Sequence, residues 1–302
     1  MLAGSSPAGP AHPTLVDSGV RVYDLGPYDR ARPLEATTFA IFDVETTGLN
    51  PAFGHRVCEV ACLRVRGQEE LGRFVALVQP ERPISVGAFR VNQITTDMLT
   101  GAPAFAAVAS RLLETMGSAV LVAHNAAFDL GFLAAELEIA VLPPPQGPVA
   151  DTLALARRVY NFPRNSLPAL ARALEVESQP SHRAMSDVLA THEILERIIW
   201  DLERRWGVTT LGELLDFQGG PVPYPQPQAL PLPPVIAEAL EGDRRVRMRY
   251  VAANGNETER SIQPIRVSEF GGRQYLLAYC YRAEALRTFR LDRVVELNPE
   301  PS

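Results

Sequence analysis

From Thr38 onward, short runs of uninterrupted apolar residues give way to longer stretches in which apolar positions recur three and four apart. Thr38–Val44, Arg56–Arg66 and Gly72–Val78 are apolar or alternating and bounded by turn residues, which predicts three strands in succession. The Gly67-Gln68-Glu69-Glu70 turn predicts a hairpin between the second and third, and Gln79-Pro80 ends the third. Helices are predicted at Thr95–Leu99 and Pro103–Met116, where Phe105, Val108, Ala109, Leu112 and Leu113 fall at helical spacing. Ser118–Ala123 reads as a buried strand that stops at His124-Asn125, and Phe128–Leu137 as a helix closed by the Pro143-Pro144-Pro145 run. A strand end at Val149–Leu153 follows, then helices at Thr152–Val159, Ser166–Leu174 and Ser186–Glu203.

The pattern changes at both ends. Residues 1–35 begin rich in Ala, Gly, Pro and Ser and read as a flexible tail, with a short docked piece around Val20–Leu25. Gly219–Pro234 holds seven prolines and reads as a semi-rigid extended linker. Beyond it come a short helix, Val235–Glu241, and strands at Arg244–Val251, Thr258–Val267, Arg273–Tyr281 and Leu286–Leu291. Asn254-Gly255 and Gly271-Gly272 supply turns between them. The expected organisation is a tail over 1–35, an α/β domain over 36–203, a helix and Pro-rich linker over 204–229, and a small β domain over 230–302.

Composition narrows the class. With 302 residues and 46% hydrophobic content the chain can bury two cores. It has no apolar run of membrane-spanning length and no secretory pattern, so no membrane partner is expected. Three cysteines, none in a C-x-x-C pair, suit a reducing, cytoplasmic setting. The net charge of −6 argues against a nonspecific nucleic-acid coat, but residues 230–302 carry +1 and residues 1–229 carry −7. Acids gathered around bound cations would reconcile that balance with a phosphate substrate. The chain has no lysine, so any charged phosphate contact uses the arginine fork.

The chemistry gathers at Asp43-Val44-Glu45-Thr46-Thr47-Gly48-Leu49. Residues two apart on a strand share a face, so Asp43 and Glu45 project together from a buried strand end. Their repulsion is relieved either by solvent or by a hard divalent cation. Asp129 falls in the first turn of one helix, and His182 and Asp187 stand at the start of another. Four carboxylates and a histidine fit a two-cation site for in-line displacement at phosphorus, with the histidine as general base.

Three runs, Asp43-Val44-Glu45-Thr46-Thr47-Gly48, His124-Asn125-Ala126-Ala127-Phe128-Asp129 and His182-x4-Asp187, resemble the motifs of the DEDDh exonuclease family in order and spacing. The resemblance implies a ribonuclease H-like fold with a mixed sheet and flanking helices, acting on nucleic acid with a free 3′ end. It implies that Asp43, Glu45, Asp129 and Asp187 hold two Mg²⁺ or Mn²⁺ ions and that His182 activates water. Thr46 and Leu49 sit where the family contacts the terminal nucleotide. Asn125 is a further substrate candidate, although a polar pair at a strand–helix junction such as His124-Asn125 commonly serves the backbone. Asp151 reads as an N-cap, His192 as a surface or packing residue, and His55 as a solvated turn residue. Arg157, Arg158 and Arg164 read either as a backbone-tracking cluster or as a solvated face.

The C-terminal runs Arg260-Ser261-Ile262-Gln263-Pro264, Gln274-Tyr275-Leu276-Leu277-Ala278-Tyr279-Cys280 and Arg287-Thr288-Phe289-Arg290-Leu291-Asp292-Arg293 resemble a WYL domain, with Gln274 where Trp is usual. That resemblance implies a small Sm-like β-barrel and a nucleotide or single-stranded nucleic acid as its ligand. Arg260, Tyr279, Arg287, Arg290 and Arg293 are the candidate contacts, by phosphate pairing and base stacking. Equally, these strands need only one buried and one solvated face. Two functions follow: a metal-dependent 3′→5′ exonuclease, DNA favoured, or a regulatory nucleic-acid-binding protein with little or no nuclease activity.

Overall fold

A computed structural model describes residues 28–225, 232–252, 255–270 and 273–300. The expected docked piece around Val20–Leu25, part of the Pro-rich linker, Asn254 and the Gly271-Gly272 turn lie outside the described residues.

The first body is built on β1 (Thr38–Thr46), the middle strand of a five-stranded sheet. β2 (Val57–Arg66) and β3 (Glu69–Leu77) run antiparallel on one side of it. On the other side β4 (Val120–Ala123) and β5 (Val149–Asp151) run parallel, giving the order β3-β2-β1-β4-β5. This is the mixed sheet that the first resemblance implies for a ribonuclease H-like fold. Buried on both faces, β1 reads as a continuous apolar run, as parallel-paired central strands do.

Alternation along β1 sends Phe39 and Ile41 into one core and Ala40, Phe42 and Val44 into the other. The first core is covered by α4 (Thr152–Val159), α5 (Leu167–Ala173), α6 (Ala184–Trp206) and α7 (Leu211–Gln218). The second is covered by α2 (Phe105–Met116) and α3 (Ala126–Ile139). Asp43 and Glu45 continue the odd-numbered face, the one on which α6 packs.

Several boundaries differ from expectation. The helix α1 (Val86–Asn92) was not predicted, because Val86, Phe89 and Val91 face solvent and leave no buried stripe to read. Asp97–Leu99, part of a predicted helix, is one 3₁₀ turn. Residues 28–35, assigned to the tail, dock on the first body: Leu34 is buried, its N–H donates to Thr209 O at 2.8 Å, and Pro33 bridges Thr210. The segment between the domains is also partly body. α7 starts with a Thr210–Glu213 capping box and places Leu211, Leu214 and Leu215 in the first core, while Tyr224 is buried against the second.

The C-terminal body opens with α8 (Pro234–Gly242). It then forms an antiparallel sheet of β6 (Val246–Val251), β7 (Glu257–Phe270), β8 (Arg273–Cys280), β9 (Ala285–Arg290) and β10 (Val294–Pro299). The strand order is β10-β6-β7-β8-β9, and α8 covers a core of Val246, Met248, Ile262, Leu276, Ala278 and Phe289. β10 was not foreseen. Among the described residues β9 and β10 are not paired with each other, so the structure shows an open antiparallel sheet and not the closed Sm-like barrel that was expected.

The two bodies meet at a 3₁₀ turn, Pro51–Phe53, that follows the carboxylate strand. Arg266 on β7 donates to Pro51 O at 3.0 Å and lies 3.4 Å from Glu138 on α3. Ser268 donates to Ala52 O at 3.4 Å, and Phe53 sets its ring edge-on to Tyr275, with centroids 4.7 Å apart.

Candidate active site

Four carboxylates on three elements converge at the C-terminal end of β1. The strand carries Asp43 and Glu45, the first turn of α3 carries Asp129, and the first turn of α6 carries Asp187. The two helical carboxylates are positioned by backbone amides. Val44 N–H donates to Asp129 Oδ1 at 3.1 Å, tying α3 to the middle of the Asp43–Glu45 pair. Ser181 and His182 N–H donate to Asp187 Oδ1 at 3.0 and 3.2 Å, folding the entry loop of α6 over its own carboxylate. Acids in the first helical turn also match the positive end of the helix.

Glu45, His182 and Asp187 can place one ligand atom each within 4.8 Å of one another. His182 Nδ1 lies 4.0 Å from Asp187 Oδ2, and its side chain is half-exposed. His182 takes the left-handed backbone conformation at φ 56°, uncommon for a residue with a Cβ. The ring is thereby held on a turn outside α6.

The carboxylates are crowded and desolvated. Burial, then the charges of Asp129, Glu45 and Asp187, hold Asp43 well above the ordinary carboxylate range. Burial, then Asp187, pushes Glu45 up to about 8. Asp129, 3% exposed, is raised by burial to about 8 despite the Val44 amide, and burial raises Asp187 as well. Mutual repulsion with no arginine inserted among them is the condition a bound divalent cation relieves, so this donor set fits hard oxygen-seeking metal ions.

A cleft of about 990 Å³ holds all five groups. Its walls include Thr46, Gly48, Leu49, His55, Val91 and Phe128. Leu49 is 85% exposed at the lip, a large apolar side chain with no core to fill. Thr46 Oγ1 donates to Gly48 O at 2.7 Å and shapes the loop.

Some expected residues lie elsewhere. Asn125 is exposed at a φ of 68° and is not among the cleft-lining residues, whereas its neighbour His124 is. His124 bonds Thr152 Oγ1 and Asn165 O, both at 3.0 Å, the structural use of that junction. Asp151 caps α4 as expected, accepting from Leu153 N and from Asn125 N. His192 pairs with Glu196 at 3.5 Å on α6. The reading of His55 as solvated is corrected. It is half-buried in the cleft wall beside Thr47, and burial with the nearby Arg82 charge lowers it to about 4.

Sequence reasoning also missed Glu59. It is buried on β2, accepts two bonds from Arg183 at 2.6 and 3.0 Å and one from Ala184 N, and so anchors the start of α6. The signal was available: one acid inside the otherwise apolar run Val57–Leu63. Asn92, buried on the unforeseen α1, holds Thr46 O at 3.2 Å.

Of the C-terminal candidates, Arg260 bonds Thr258 and lies 5.8 Å from the Phe289 ring centroid. Arg290 pairs with Asp292, and Tyr279 stacks edge-on against Tyr281. Arg287 and Arg293 have no carboxylate partner among the described residues.

Residues 40–195 match the RNase_T (Exonuclease) family model, and residues 232–299 match the WYL domain model. DNA polymerase III PolC-type of Bacillus cereus is 38% identical over 190 residues, 62% of this chain and 13% of that protein. The PolC-type enzyme of Bacillus subtilis is 36% identical over 208 residues, 68% of this chain and 14% of its own length. The chain therefore spans about a seventh of these curated relatives. A solved structure of Exonuclease X in complex with 5′ overhanging duplex DNA is 30% identical, covering 60% of this chain and 99% of that one, with a TM-score of 0.47.

Proposed function

Because the chain belongs to the RNase_T exonuclease family, whose members of this fold use divalent metal ions, we propose that it is a 3′→5′ exonuclease that releases nucleoside 5′-monophosphates, with DNA as the favoured strand. The observation that carries this reading is the convergence of Asp43, Glu45, Asp129 and Asp187 in one cleft beside His182.

On this reading the four carboxylates hold two Mg²⁺ or Mn²⁺ ions. Bound there, the ions would lower the pKa of the attacking water and stabilise the leaving oxygen. The chain's own groups do the rest. Thr46 and Leu49 seat the 3′-terminal nucleotide, Leu49 offering an apolar surface against its base. Nδ1 of His182 faces Asp187, which leaves Nε2 to take the water's proton. The half-exposed ring can then pass that proton to solvent. Substrate contacts at Arg260, Tyr279, Arg287, Arg290 and Arg293 belong to the proposed nucleic-acid or nucleotide role of the C-terminal domain. No helix among the described residues is long and apolar enough to cross a membrane, all three cysteines are free and buried, and a cytoplasmic setting is part of this proposal.

The test is a 5′-labelled single strand incubated with Mg²⁺ or Mn²⁺. Shortening from the 3′ end is expected, and loss of about two or more orders of magnitude in rate is expected for Asp43→Ala and His182→Ala. An unchanged rate in Asp43→Ala would overturn the assignment. Binding that persists in EDTA, with no cleavage under any metal condition, would favour the regulatory reading.

A further inference from the structure

The turn between the two bodies concentrates positive charge and hydrogen-bond donors with too few acceptors. Arg82 Nη1 donates to Phe53 O at 3.2 Å. A Cβ built on Gly54, at φ +73°, would lie 3.2 Å from Arg82 Nη1, 2.1 Å from Thr288 Oγ1 and 3.2 Å from Leu277 Cδ1. Gly54 is thus where Arg82 of the first body and the Arg287-Thr288 strand of the second converge. Arg82 Nε and Thr288 Oγ1 are both buried without a hydrogen-bond partner. Neither Arg82 nor Arg287 has a carboxylate partner among the described residues, whereas Arg56, Arg183, Arg266 and Arg290 each face one. Burial, then the charges of Arg287 and Arg56, lowers Arg82. Phe53, whose carbonyl Arg82 holds, lines the cleft together with His55, so this cationic junction borders the cleft.

Two like charges brought together across a domain contact cost stability unless an anion sits with them. The cleft beside them takes the end of a polyanion on the reading above, and the guanidinium fork suits a phosphate. We propose that Arg82 and Arg287 together hold an internal phosphate of the substrate strand, so that the C-terminal domain completes the strand path of the exonuclease cleft. This rests on the exonuclease reading for the identity of the strand, but the site is testable without hydrolysis. It gives Arg287 a role in substrate affinity that an independent ligand pocket would not.

Arg287 is exposed on β9, so Arg287→Glu should fold. The full-length protein is titrated with a fluorescent single strand of about 20 nucleotides in Ca²⁺, its 3′-terminal linkage a phosphorothioate, and anisotropy is recorded over a range of salt. Arg287→Glu is expected to weaken binding about tenfold at low salt and to lower the slope of log Kd against log salt by about 0.7 or more, with Arg287→Lys recovering most of the loss. In Mg²⁺ or Mn²⁺ the same variant should raise KM for the long strand about tenfold and far more than KM for the p-nitrophenyl ester of thymidine 5′-monophosphate, because that ester has no internal phosphate. Equal long-strand affinity in wild type and Arg287→Glu overturns the proposal, as does wild-type protein that does not bind the strand. Binding that responds to Arg287→Glu in a protein that hydrolyses neither substrate upholds the phosphate site and refutes the exonuclease reading instead.

Discussion

Replacing Asp129 with Asn should make the metal-free protein more stable while removing its activity. The side chain is 3% exposed and its carboxyl is raised from an ordinary value of 3.8 to about 8. A group whose folded pKa is raised contributes its stability below the unfolded pKa and loses it as pH rises through the folded one. Asp129 therefore costs progressively more between about pH 4 and pH 8. At pH 7, about three pH units above the ordinary value and at about 1.4 kcal/mol each, the ceiling is about 4 kcal/mol. Asp43 shares the same repulsion and the site can relax, so about 2 kcal/mol is the expected gain for Asp129→Asn. The amide keeps an oxygen for Val44 N–H. The assay is urea denaturation in EDTA, followed by circular dichroism, at pH 7 and pH 5. At pH 5, only about one pH unit above the ordinary value, the ceiling falls below half, so the variant's advantage should at least halve. Saturating Mn²⁺ should raise the wild-type midpoint and leave the variant's nearly unchanged. An advantage that is absent at pH 7, or equal at both pH values, would refute the electrostatic account of this site.

Glu136→Ala should cost about 3–5 kcal/mol in the same denaturation assay, because buried Arg56 loses bonds of 2.7 and 2.8 Å and keeps only a 3.4 Å contact with the exposed Glu81. Gly48→Ala should lose about 1–3 kcal/mol by the same measure and weaken substrate binding, since a Cβ there would fall 2.2 Å from the His55 ring. Leu49→Ala should change the melting free energy by under about 0.5 kcal/mol, because the side chain packs against nothing, yet raise KM for a single strand in a steady-state assay.

The alternation of polar and apolar residues made most of the first body legible. β1 and β2 are long and apolar, and helices such as α2 and α6 keep a buried stripe over several turns. The carboxylates and His182 were legible because each stands beside a strand end or a helix start, where chemistry interrupts the pattern. What escaped shares a physical cause. α1 covers the cleft with outward apolar residues and one buried Asn92, so it shows no amphipathic face. Glu59 was marked locally as one acid in an apolar run, but its partner Arg183, like Arg82 beside His55, is far away in the chain and no local spacing encodes the pairing. Docking of residues 28–35 on α7 is written in backbone hydrogen bonds, which are nearly independent of residue type.

The contact at Pro51–Phe53 has a further meaning because the two bodies are tethered. Nine residues separate Tyr224, packed on the first body, from Pro234, which opens α8. A tether that short holds the second body at an effective concentration in the millimolar range. A few hydrogen bonds and one aromatic edge contact, too weak to join free partners at micromolar concentration, are then enough to keep the bodies docked. The two halves supplied as separate chains should therefore fail to reconstitute the joint surface. On the same accounting, a strand phosphate held by Arg82 and Arg287 together favours the docked arrangement without needing a larger interface.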